Sequence, residues 1–148
     1  MSDMNTPVVY QFIALGKPQP LRRARYTRRS RVPHAYDPAE NVQAKESLLI
    51  QAKAHAPTEP HTGAVALTIL FVMPRPKDHY GTGRNASVLK RRFANVAHTS
   101  KPDLDNMVKL VKDALTGVFW RDDSQIDALD ARKCYGDMPR TEVFIAAY

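Results

Sequence analysis

A chain of 148 residues with a formal net charge of +7 is long enough to bury a core of its own, and 43% hydrophobic with 25% charged residues excludes a low-complexity or disordered polymer. The lone Cys134 excludes an intramolecular disulfide framework and any paired CxxC zinc site. No apolar run approaches the roughly 20 residues of a membrane span, and the first ten residues lack the basic-then-apolar order of a secretion signal, so a soluble cytoplasmic protein is expected.

In chain order, VVYQFIALG (Val8 to Gly16) is rich in β-branched and aromatic residues and reads as a buried strand closed by Gly16. The next twenty residues, KPQPLRRARYTRRSRVPHAY, hold three prolines and six arginines and read as an exposed loop or ragged hairpin. DPAE then predicts a helix with Asp37 as N-cap, Pro38 at the first helical position and Glu40 three residues after the cap. Its apolar face would be Ala39, Val42, Leu49, Ala52 and Ala56, and it should end before Pro57. AVALTILFVMP (Ala64 to Pro74) is a second buried strand.

From Arg75 to Lys101 periodicity fades, apart from a turn of helix near Val88 to Phe93, and a loop of that length in a compact domain is commonly functional or partly disordered. His55, His61, His79 and His98 show no metal-ligand spacing and are read as surface residues. Leu104, Met107, Val108, Val111, Leu115 and Val118 then recur at helical spacing, with Gly117 where the helix should stop. SQIDALDARKCYG and RTEVFIAAY resemble two strands joined by a turn through Gly136, Asp137 and Pro139. Strands flanking two helices give a single α+β (mixed α/β) domain spanning residues 1–148, with a mixed β-sheet flanked by two main helices and basic loops at about 17–36 and 75–101.

Charge is divided along the chain. Residues 1–101 hold 16 Lys and Arg against 6 Asp and Glu, whereas residues 102–148 hold 6 against 9. The arginine cluster and a pI near 9.7 point to a polyanionic partner, nucleic acid first, because each phosphate neutralised releases condensed counterions. A merely solvated basic face is the alternative.

Against this background KPDLDN at 101–106 and RDDSQ at 121–125 stand out as acidic. Asp103 precedes the first turn of the third-region helix, and Asp105, Lys109, Lys112 and Asp113 share the flank beside its apolar stripe. Two carboxylates that close repel unless a cation lies between them. A hard ion with oxygen ligands suits them, Mg²⁺ first and Mn²⁺ as a substitute, with a third ligand from Asp122 or Asp123 if the fold brings the helix ends towards one place. Lys109 could contact a phosphate or orient the attacking water. Each piece alone also has a structural explanation: Asp103 as an N-cap, Asp105 favoured by the helix dipole, Asp105–Lys109–Asp113 as an ion-pair ladder, and the Asp pair as turn chemistry. GTG at 81–83 lacks a strand-turn-helix context, Cys134 reads as packing in a strand, and Phe119 and Trp120 read as core anchors.

KPDLDNMVKLVKDALTGVFWRDDSQI, with GKPQPLRRAR, YDP and ARKCYG more loosely, is similar to the RusA family of Holliday junction resolvases, short phage and prophage endonucleases. The resemblance implies a cytoplasmic homodimer that nicks four-way DNA junctions symmetrically with Mg²⁺, in recombination and repair. It carries the acidic ligands onto Asp103, Asp105 and Asp123, with Asp122 as a neighbour, and the functional lysine onto Lys109. The candidate DNA contacts are Arg22, Arg23, Arg25, Arg28, Arg29 and Arg31, with Lys90, Arg91 and Arg92 in a loop longer and more basic than the family core requires. A nuclease acting on flaps or other branched DNA, or a non-catalytic basic nucleic-acid-binding protein, are the competing readings.

Overall fold

The computed structural model describes residues 5–27 and 31–148. Arg28 and Arg29, two of the candidate DNA contacts, lie outside the described residues. The described chain builds a four-stranded mixed sheet from β1 (Val8–Leu15), β4 (Val65–Pro74), β5 (Ile126–Gly136) and β6 (Arg140–Ala147), with α1 (Ala39–Ala52) and α2 (Leu104–Leu115) packed on one face. A two-stranded ribbon of β2 (Arg25–Tyr26) and β3 (Ala35–Tyr36) stands in the arginine loop, the ragged hairpin expected there.

Spatial order is β1-β6-β4-β5, with β6 antiparallel to both neighbours and β4 parallel to β5. β1 and β4 therefore also run parallel, so each helix serves a parallel crossover, which is why both lie on the same side of the sheet. β5 and β6 are joined through Gly136 and Pro139 as expected, but they do not pair with each other: β4 lies between them. Two strand spacings amount to about 10 Å, a gap that the three residues 137–139 span when extended.

Alternation decides the core. Phe12 and Ala14 of β1, Leu67, Ile69 and Phe71 of β4, and Val143 and Ile145 of β6 point inward, against Met107, Val108, Val111, Ala114 and Leu115 of α2. Phe119 stacks on Phe12 with ring centroids 5.8 Å apart, and Phe119 and Trp120 are fully buried, the anchors expected from sequence. On the opposite face Val9, Ile13, Leu15 and Phe144 are 40–59% exposed, interleaved with Gln11, Glu142, Arg140, Asp130 and Arg132, and that side of the sheet has no covering layer among the described residues. No helix of the described residues is long and apolar enough to cross a membrane.

Two local expectations are corrected. Asp37 does not cap α1, because Pro38 stays extended (φ −55°, ψ 145°) and itself holds the N-cap position. The Asp37 carboxylate instead accepts from Asn41 Nδ2 (2.7 Å) and Lys45 Nζ (2.8 Å), contacts that hold its pKa below the usual value. The buried face of α1 is Asn41, Leu48 and Ala52; Ala39 and Val42 face solvent, a rotation that follows from seating Asn41 inward.

His79 and His98 are the second correction. Neither is a surface residue: both are buried, packed on either Phe93 or the Tyr135 ring with centroids 4.1–4.9 Å apart. These contacts fasten the loop between β4 and α2, which forms short 3₁₀ turns at Lys77–His79, Gly83–Asn85 and Arg91–Phe93, against the inner side of β5.

Candidate active site

α2 has the sequence of an amphipathic helix and is closed at its C-terminus by Gly117, whose φ of +87° is readily adopted only without a Cβ. Its N-cap position is Asp103, yet the carboxylate makes no capping bond. Asp103 and Asp105 are exposed on the first turn, and Lys109 Nζ lies 3.7 Å from Asp105 Oδ2. An exposed pair at that distance contributes at most about 0.5 kcal/mol, so it does not explain why the residues are there. Nor does a ladder along the helix: Asp113 turns to Lys45 of α1 (3.8 Å), which also holds Asp37.

The two carboxylates open onto a cleft of about 800 Å³ whose other wall is the segment Lys17 to Arg23. Lys17, Arg22, Arg23, Lys101 and Lys109 ring it, so the acidic pair sits in a cationic trough. The wall is built by backbone bonding. Leu21 N donates to the Asn106 carbonyl (2.8 Å), and buried Asn41 grips Arg22 from both sides, accepting from its N–H (2.7 Å) and donating to its carbonyl (2.9 Å). The basic loop is thereby fixed beside the first turn of α2.

Asp123 belongs to a different place. Its Oδ1 lies 2.5 Å from the Thr116 hydroxyl, which also accepts from Trp120 Nε1 (3.0 Å), and its Oδ2 lies 3.5 Å from Lys112 Nζ. Asp122 is committed elsewhere: its carboxylate accepts from Ser124 N (2.8 Å), which lowers its pKa, and it forms a capping box with Gln125. Gln125 then donates to the carbonyls of His61 and Gly63 (2.7 and 2.8 Å), locking the turn to the start of β4. The Asp123 carboxylate is the member of the pair that faces α2.

That face is the wrong end of the helix for a shared ion within one chain. From Asp105 to Thr116 the helix advances about 16 Å. Among the described residues no three His, Cys, Asp or Glu side chains gather closely enough to hold a metal ion. The expectation that the fold draws both acidic stretches to one point is therefore not met inside a single protomer.

The other sequence-named residues divide by position. Arg22 and Arg23 line the cleft; Arg25 is exposed and pairs with Glu40 (3.2 Å); Arg31, Arg91 and Arg92 are exposed, with the Arg92 guanidinium 4.7 Å from the Phe93 ring. Lys90 is half-buried in the β4–α2 loop. Residues that the sequence did not single out include Lys17 and Lys101, which flank the carboxylates, and Asn41 and Thr116, which orient neighbours. The one legible signal was Asn41, a polar side chain at the helical spacing of Leu48 and Ala52.

The family model described as "Endodeoxyribonuclease RusA" matches residues 16–146. The chain is also 33% identical over 135 residues to "Uncharacterized protein YqaN" of Bacillus subtilis (strain 168), covering 91% of this chain and 94% of that protein.

Proposed function

Because the chain belongs to the RusA endodeoxyribonuclease family, we propose that it is a Mg²⁺-dependent, structure-selective endonuclease that resolves four-way DNA junctions by paired nicks in recombination and repair. The observation that carries this reading is an acidic pair, Asp103 and Asp105, exposed inside a cleft whose other charged lining residues are all lysine or arginine, with no capping bond from Asp103. Such a trough attracts a phosphodiester backbone, and the carboxylates within it would otherwise repel that backbone. A hard divalent cation reconciles the two, and the oxygen-only donors fit Mg²⁺ or Mn²⁺. When bound, the ion would neutralise charge on the scissile phosphate and lower the pKa of an attacking water.

The chain's own residues divide the remaining work. Arg22 and Arg23, with the other arginines of the 22–31 segment and Lys90 to Arg92, neutralise and position backbone phosphates without reading sequence. Lys109, one turn beyond Asp105, would donate to a non-bridging oxygen or to the nucleophilic water. Asp123 acts with Asp103 and Asp105, as the third acidic ligand, across a two-fold dimer. A two-fold axis that places the C-terminal end of one α2 beside the N-terminal end of the other would supply each site with Asp123 of the partner subunit. The separation of the carboxylates within one chain supports this pairing, and it suits a substrate that needs two symmetric cuts.

The test is incubation of the folded protein with a labelled synthetic four-way junction and Mg²⁺, in competition with linear duplex and with a flap. Symmetric nicks in the junction at the lowest enzyme concentration are expected. Preferential cutting of the flap would assign a different branched substrate, and an inert junction across metals and pH would remove the nuclease reading.

A further inference from the structure

β5 carries Lys133 on its inner face, half-buried behind the loop that enters α2. Its Nζ donates to the carbonyl of Ser100 (2.7 Å) and to the carbonyl of Pro102 (3.0 Å). The second of these oxygens belongs to the peptide unit that joins Pro102 to Asp103, so the ammonium grips the same rigid plane from which the Asp103 Cα departs. No carboxylate is within ion-pairing distance of Lys133 among the bridges of the described residues; its charge is spent on two backbone oxygens. Charge-assisted bonds of this kind are stronger than neutral ones, and two from one ammonium fix a direction as well as a distance.

We propose that Lys133 is a positioning residue for the acidic pair: it sets where Asp103 stands relative to Asp105 and the basic wall of the cleft. This rests on the reading of Asp103 and Asp105 as the acidic centre of a nuclease. The need for such a tether is evident from the local structure. Asp103 makes no capping bond, so nothing from its own side chain orders it, and the segment before it has no regular structure. A tether from the sheet transmits the rigidity of β5, paired along its length with β4, to a loop residue that must hold a ligand geometry. Misplacing a reacting group by about 1 Å can cost on the order of 100-fold in rate, and outer residues that orient ligands are typically worth about 10–100-fold.

Lys133→Met keeps the aliphatic stem and removes the donors; Lys133→Arg restores donors to the same carbonyls. Single-turnover cleavage of a four-way junction at saturating protein should fall about 10–100-fold in Lys133→Met, with junction affinity within about threefold of wild type and a higher Mg²⁺ concentration at half-maximal rate; the Lys133→Arg variant should recover most of the loss. Amide hydrogen exchange over residues 99–106 should accelerate in Lys133→Met and not in Lys133→Arg. An unchanged rate and unchanged exchange would overturn the proposal, as would weakened junction binding with an intact rate at saturation, the mark of a direct phosphate contact. If Lys133→Met does not fold, Lys133→Leu, which likewise lacks a donor, carries the same comparison. Should wild type leave the junction uncut, the nuclease reading fails, whereas the exchange measurement still decides whether Lys133 holds the Asp103 segment.

Discussion

Replacement of Asp105 is the change expected to separate the proposed catalysis from binding. In Asp105→Asn the shape is kept and one negative charge is removed from the cationic trough. Junction cleavage should fall by about 100-fold or more, while affinity in a gel-shift titration stays level or tightens, since less charge opposes the backbone. Asn41 makes a different prediction. It is 1% exposed and satisfies the Arg22 backbone in both directions, so Asn41→Ala leaves an N–H and a carbonyl without partners. Loss of about 1–3 kcal/mol in denaturant unfolding is expected, together with weaker DNA binding as the basic wall loosens. A variant as stable as wild type would show that the loop holds without its clamp.

The β4–α2 loop is the element whose behaviour should follow pH. Burial, and after it the positive charge of Lys133, hold the His98 imidazole below its ordinary value of 6.5, so the docked loop favours the neutral ring. Docking is then at full strength above about pH 6.5 and weakens as pH falls from there towards the lowered folded value. Hydrogen exchange over residues 95–101 should be faster at pH 5.5 than at pH 7.5 beyond the intrinsic pH effect, and His98→Phe should abolish that difference. The same loop marks what the sequence could not convey. Strands, helices and the stop at Gly117 were legible because periodicity and turn chemistry are local properties. The docking of His79 and His98 was not, since nothing in single residues within an aperiodic basic stretch reveals that Tyr135, far along the chain, provides a ring to pack against. β4 lying between β5 and β6 escaped for a related reason: a short link between two strands looks alike whether they pair or flank a third.

At the scale of the whole molecule, the predictions turn on charge and on the proposed two-fold pairing. The basic 1–101 stretch predicts junction affinity that falls with salt at a slope near −0.9 in log–log terms for each phosphate neutralised, and Arg22→Ala or Arg23→Ala should each reduce that slope by about one. The acidic residues of the site were legible as residue types, because carboxylates clustered in a basic chain are conspicuous. Their places at the two ends of α2 were legible as well, but not that these ends stay apart within one chain, because that depends on Asp123 bonding to Thr116 beside the helix C-terminus. That distribution also supplies the most direct measurement: junction cleavage by Asp105→Asn and Asp123→Asn proteins, each assayed alone and then after mixing with subunit exchange. Two silent variants and restored nicking in the mixture are expected, since one site of the mixed dimer would combine an intact Asp103–Asp105 pair with an intact Asp123 from the other protomer. A mixture as silent as its components, beside an active wild type, would contradict that pairing.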